Sequence, residues 1–287
     1  MRRELSGDAG REVIESMVNL SYLARRTGDA AKGEALLDEA LVLARQELAA
    51  DDPLTATILR NRGLDLGMQA AALATRAGRL AAEGDADGAA ALAEQVAAFR
   101  QRGESLLREA LDLLTSSLGA GHRTVAEVRI GLALMLRELD DDAGVIEQLR
   151  PAVDSLTALE PGGSAHLATA LHRLGEALDA TGDAAGAEPL LWRALEMLRA
   201  QKPDTDRSLL ELGNTLTDLL QEQQRFEEAR TLLLSYREDF EAAGASRDTF
   251  MASLWDSLAE VAQNAGWTAE HAGYVAQRDA LREPTPP

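Results

Sequence analysis

The sequence contains no cysteine, which excludes disulfides, thiolate metal centres and cysteine nucleophiles. Aromatic residues make up only 3 % of its 287 positions, and β-branched residues are sparse too, so an all-β fold is not expected. No run of about 18 apolar residues occurs, so nothing has the make-up of a membrane span. Residues 1–15 hold no apolar stretch of signal-peptide length, and a cytoplasmic location is expected. Basic residues are outnumbered, 29 against 48 acidic ones, for a formal charge of −19. A polyanion partner needs a basic footprint, so neither nucleic acid nor an anionic membrane surface is expected.

What is present is alanine and leucine, strong helix formers that dominate the 46 % apolar fraction. They recur with a period. Gly28-Asp29 is followed by Glu34, Leu36, Leu37, Ala40 and Leu41. Gly182-Asp183 is followed at the same offsets by Glu188, Leu190, Leu191, Ala194 and Leu195, and the block returns as Glu104, Leu106, Leu107, Ala110 and Leu111. The small position runs Ala40, Ala110, Ala152, Ala194 and then Tyr236, in steps of 70, 42, 42 and 42. Asp52, His122, Ser164, Asp206 and Asp248 keep the same register. Asp and Ser suit a helix N-cap because their side-chain oxygen accepts from an orphan N–H; His122 is the weak member of the set. Each unit reads as cap, helix, Gly-Asp-like turn and second helix, and one such hairpin cannot bury its apolar face without neighbours.

These blocks resemble the tetratricopeptide repeat in its 42-residue form, as in kinesin light chains and many bacterial proteins. The residues that carry the resemblance are Asn19-Leu20-Ser21, Gly28-Asp29, Ala187-Glu188-Pro189-Leu190-Leu191 with Ala194-Leu195, and Leu118-Gly119-Ala120-Gly121-His122. It departs at Val145-Ile146, where Ala-Glu is usual, and at His271, which takes a small-residue position. The resemblance implies an all-α fold, a right-handed α-solenoid of about six helix-turn-helix repeats. The expected organisation is a loose segment over 1–10, the solenoid over 11–283 and a free tail over 284–287.

The first step exceeds the period by 28 residues, and Gly84-Asp85 falls 14 residues from each place where an unlengthened turn would sit. Both helices of repeat two, about 54–118, are therefore expected to be two heptads longer. Leu66, Leu73 and Leu80 alternate with Ala70 and Ala77. On the returning helix Leu92, Phe99, Leu106 and Leu113 alternate with Val96, Gly103 and Ala110, a narrow coiled-coil seam. At 1.5 Å per residue the hairpin projects about 21 Å past its neighbours. It is read either as a neutral elongation or as a second contact surface.

Motifs for chemistry are missing. There is no phosphate-binding Gly-Lys loop or dinucleotide-type glycine run. His122, His166, His172 and His271 form no close-spaced pair, so no metal site is expected. Gly162-Gly163-Ser164-Ala165-His166 lacks the closing glycine of a nucleophile elbow. Asp51-Asp52 and Asp140-Asp141-Asp142 sit at expected links and turns, where solvation accounts for them. No enzyme activity and no cofactor are expected.

In the family the first helices line a concave face on which a partner segment lies. Carried over with Leu20 as the buried leucine, the resemblance implies a groove containing Asn19, Tyr22, Arg25, Arg26, Arg60, Asn61, Arg137, His172, Arg173 and Asn214. Asparagine amides can both donate to and accept from a peptide backbone, and arginine pairs with carboxylate or phosphate through two parallel bonds. The expected partner is thus a protein or peptide with an acidic segment, unless these arginines only balance neighbouring acids. The function implied is an interaction scaffold; the alternative is a sensory module whose peptide or small ligand controls a signalling or transcription partner. The uncapped first repeat leaves room for a larger protein or for a homodimer.

Overall fold

In a computed structural model, residues 8–201, 207–243 and 248–282 are described, and they form helices and connecting turns. Two compact units divide the chain, Met1–Leu159 and Glu160–Pro287.

The first unit contains three antiparallel hairpins. They are α1 (Asp8–Arg26) with α2 (Ala30–Glu47), α3 (Pro53–Ala82) with α4 (Ala86–Leu118), and α5 (Arg123–Arg137) with α6 (Asp142–Leu159). The second unit repeats the plan with α7 (Ala165–Ala180) and α8 (Ala184–Gln201), α9 (Arg207–Glu222) and α10 (Phe226–Ala243), and α11 (Asp248–Asn264) and α12 (Thr268–Arg282). Within each unit the second helix of a hairpin packs on the first helix of the next: α2 on α3 and α4 on α5, then α8 on α9 and α10 on α11. The two tail segments expected to be loose lie largely outside the described residues, and α1 already begins at Asp8.

Two adjacent residues make each turn. Gly28, Gly84, Gly182 and Gly266 take positive φ at the end of the first helix, the left-handed cap that lacks a Cβ penalty only in glycine. Asp140 and Gln224 stand at the equivalent places and take φ values of 57° and 60°. The aspartate that follows caps the second helix: Asp29 accepts from Lys32 N, Asp85 from Gly88 N, Asp141 from Gly144 N and Asp183 from Gly186 N. At the hairpin starts, Asp52 caps α3 with Pro53 behind it, and Ser164 caps α7. His122, the weak member by type, also caps its helix, its Nδ1 accepting from Thr124 N at 3.1 Å. Asp206 lies outside the described residues.

Helices α3 and α4 run for 30 and 33 residues, against 15–19 for the other helices. They approach closely where Gly63 faces Gly103: a Cβ on either would sit 3.0 Å from the other's carbonyl oxygen. The burial that anchors the hairpin lies near its base, at Leu66, Ala70, Val96, Leu107 and Leu114. Leu73, Leu80 and Leu92 farther out are only half-buried, as is Phe99.

Register led us to expect Leu20 in the core, but it is 51 % exposed. Ile14, Met17, Ser21 and Ala24 are the buried positions of α1, and they face its own hairpin. Leu20 points to where a preceding hairpin would pack, and among the described residues no helix lies there.

Candidate functional site

The first unit holds a concave pocket of about 880 Å³. Its floor is apolar and comes from two first helices: Leu64, Met68, Ala71 and Ala72 of α3, and Leu134 and Met135 of α5. Glycines let these helices close up. A Cβ on Gly67 would lie 2.9 Å from Met135 Cε, and one on Gly131 would lie 2.8 Å from Leu64 Cδ2. Tyr22 from α1 forms one side, and it and Met68 are 59 % and 54 % exposed.

Four arginines rim the pocket, Arg25, Arg26, Arg100 and Arg137, against three carboxylates, Glu34, Asp65 and Glu138. In a protein of charge −19 the rim of this apolar depression thus carries one more positive than negative side chain. Arg26 lies over the Tyr22 ring, 5.7 Å from its centroid. Arg100 bonds Glu138 at 2.5 Å, and Arg137 approaches the same carboxylate at 3.8 Å. Arg25 is committed inward, 2.9 Å from Asp65 and 3.7 Å from Met68 Sδ. Burial pushes the Asp65 carboxyl up, more than Arg25 and Arg62 pull it down, and Asp38 adds to the rise.

Of the residues expected in a groove, Tyr22, Arg25, Arg26, Asn61 and Arg137 come together here. Asn19 is exposed on α1 outside the pocket. Arg60 also lies outside it, 3.4 Å from Glu127. The remaining three belong to the second unit. His172 is buried, its Nε2 3.2 Å from Thr215 Oγ1 and 3.3 Å from Glu176. Arg173 bonds Glu176 at 2.7 Å and Glu211 at 3.3 Å, while Asn214 is exposed on α9. His172 and Arg173 thus knit α7 to α9, and His172 presents no open surface to a ligand.

Sequence reasoning missed Met68, Arg100, Met135 and Glu138. Met68 had a signal: it lies seven residues beyond Asn61, on the same face of a helix that continues past the usual repeat length. Arg100 had none, since the returning long helix brings it in.

The model of a tetratricopeptide-repeat family matches residues 13–54 and 167–200. The chain carries tetratricopeptide repeats. Solved structures of such proteins share the fold over most of their length. A putative kinesin light chain from Podosopora anserina, with nearly identical TPR-like repeats, is 16 % identical, with a TM-score of 0.59 over 83 % of this chain and 98 % of that one. PilW, a widely conserved type IV pilus biogenesis factor, is 16 % identical, with a TM-score of 0.60 over 93 % of each chain. The apo form of RapI is 10 % identical, with a TM-score of 0.62 over 94 % and 97 %. No curated protein sequence matches the chain. At these identities the likeness to the tetratricopeptide-repeat structures is one of fold.

Proposed function

We propose that the chain is a non-catalytic interaction module, and that the pocket of its first unit receives a short amphipathic partner segment with an acidic end. The observation that carries this reading is the exposed apolar floor around Met68 within a ring of arginines. Desolvating Met68, Leu64 and Tyr22 supplies affinity, while Arg26 and Arg137 select a carboxylate and set orientation. An apolar helical stripe of three or four side chains fits a depression of this size. Likeness in fold to a pilus biogenesis factor and a kinesin light chain accords with a scaffold.

A pocket of this volume is also in the range that encloses a small organic ligand, which favours the sensory alternative as a second reading. The test uses fluorescent amphipathic helical peptides with acidic or basic ends, titrated against the full chain and a Met68→Glu/Ala72→Glu variant. Both side chains are exposed, so the variant should fold. Binding of the acidic peptides, lost in the variant, supports the module. Equal binding by both proteins would sink it, and binding of small apolar carboxylates alone would move the assignment to the sensor.

A further inference from the structure

The outer face of α1 is an unfinished repeat interface. Val13, Leu20 and Leu23 are 36, 51 and 53 % exposed. Counted from the second-helix cap, the same three positions are Val125, Leu132 and Met135 in repeat three. In repeat five they are Leu209, Leu216 and Leu219, and in repeat six Met251, Leu258 and Val261. None of these nine is more than 8 % exposed. Each of those faces is covered by the second helix of the hairpin before it. The α1 face has the same apolar chemistry, and among the described residues no helix covers it. At the other end, α12 exposes no large apolar side chain among the described residues, so head-to-tail stacking has no counterpart for it.

The flank of that face identifies the occupant. Val13 and Leu20 are seven residues apart, as are Ser16 and Leu23, the spacing of a and d positions in a heptad. Glu12, Asn19 and Arg26 fall on the adjoining flank at the same spacing. The charge on that flank runs from acidic to basic about a neutral centre, and an antiparallel pairing with an identical helix satisfies it. Glu12 then opposes the second copy's Arg26, and Asn19 opposes its own equivalent. In the same register Val13 stacks against the second copy's Leu23, and Leu20 against its Ser16. Among the described residues neither Glu12 nor Arg26 has an ion-pair partner; Arg26 meets only the Tyr22 ring.

We propose that two copies of this chain associate through α1 about a two-fold axis near Asn19, with two symmetric Glu12–Arg26 pairs fixing the register. A single helix pair buries less than the 1,200–2,000 Å² of a standard interface, so the dimer is concentration-dependent and salt-sensitive.

Sedimentation equilibrium of the full chain tests this, with far-UV circular dichroism checking that each variant folds. Wild type shows a reversible monomer–dimer equilibrium in the micromolar range. Glu12→Arg and Arg26→Glu each weaken it by about fivefold, because two symmetric exposed pairs turn from attraction to repulsion. The double swap Glu12→Arg/Arg26→Glu restores it to within about twofold of wild type. Leu20→Glu abolishes it, and if that variant misfolds the exposed charge swaps still decide. A wild type that stays monomeric overturns the proposal, as does a double swap no tighter than the single variants.

Discussion

Arg25 Nη2 lies 2.9 Å from Asp65 Oδ1, and this ion pair joins the first hairpin to the second where other repeats place an apolar side chain. Counted from the caps, Thr55, Arg62 and Asp65 take the places held in repeat five by Leu209, Leu216 and Leu219, and all six are buried. Arg62 reaches back to Asp38 at 2.8 Å. The junction of repeats one and two therefore adds ion pairs to the apolar packing of Ile58 on Leu37 and Ala40, and an ion pair in a desolvated site makes its partners unequal. Arg25 keeps 27 % of its side chain in solvent and Asp65 only 7 %.

Arg25→Met should therefore cost more than Asp65→Asn. Removing the arginine strands a buried carboxylate, for roughly 3 kcal/mol at pH 7. Removing the carboxylate leaves an arginine that can turn to water, for roughly 1 kcal/mol. Asp65 already has a raised pKa, with burial as the main cause, and losing Arg25 raises it further. The folded state then takes up a proton more readily than the unfolded one. The cost of Arg25→Met should accordingly shrink as pH falls from 7 towards 4. Urea melts of both variants at the two pH values check this; equal costs, or a cost growing in acid, would refute it.

Repeat five offers a volume-exchange test. Tyr236 stands where repeat four has Ala194, and Gly213 stands where repeat four has Leu171. The ring fills the space over the glycine so closely that a Cβ there would sit 2.5 Å from Tyr236 Cε2. The phenol donates to Leu209 O at 2.9 Å. Gly213→Leu alone should cost more than about 3 kcal/mol by overpacking, and Tyr236→Ala alone about 3–5 kcal/mol by leaving a cavity. The double variant Gly213→Leu/Tyr236→Ala reproduces repeat four and should recover at least half of the summed loss. Thermal melts of the three proteins decide it, and strict additivity would mean the two sites do not share one volume.

These cases show where the sequence was legible. Turn chemistry is local, so Gly28-Asp29, Gly84-Asp85 and Gly182-Asp183 announced their caps, and the 42-residue spacing gave the hairpins. Burial is not local. Leu20 has the right register for the core and lies half exposed, because burial depends on a neighbouring hairpin and no described helix packs on that face. The arginines expected to await a ligand were partly spoken for: Arg25 holds Asp65, Arg60 holds Glu127 and Arg173 holds Glu176. Glu176 is a local partner, three residues on, but Asp65 and Glu127 lie 40 and 67 residues from their arginines, beyond any local pattern.

In the second unit acid should first stabilise and then destabilise. The carboxyls of Asp179 and Asp218 are both raised, by partial burial first and then by like charges: Glu222 on Asp179, and Glu260, Glu222 and Asp179 on Asp218. Their charged forms are disfavoured in the fold, so stability rises as pH drops from 7 through their raised values. Glu176 behaves oppositely. Burial opposes its charge, but the bond from His172, that residue's charge and Arg173 together hold its pKa at about 2. Its contribution is complete above the ordinary value of 4.5 and is lost as pH falls from there towards about 2. Asp218→Asn should raise Tm by roughly 1–2 °C at pH 7 and give no advantage at pH 4. An advantage that persists at pH 4 would show that the carboxylate charges are not responsible.

The long hairpin can be cut to repeat length without disturbing its base. Removing residues 70–83 together with 88–101 takes two heptads from each helix, keeps Gly84-Asp85 as the turn, and leaves Gly63 opposite Gly103. Only Ala70 and Val96 among the fully buried side chains are lost, so the shortened chain should still melt cooperatively, a few degrees lower. Leucines 66, 107 and 114 still carry the contact between α3 and α4. The pocket should fare worse, because Ala71, Ala72 and Arg100 are removed with the extension while Tyr22, Leu64 and Met68 remain. Peptide affinity should therefore fall at least tenfold, since a wall that excludes water is gone although the floor is intact. Calorimetry and peptide titration on one sample separate the possible results. A broad, non-cooperative melt would mean the extension supports the fold. A cooperative melt with unchanged affinity would mean the long helices project past the binding surface and take no part in it.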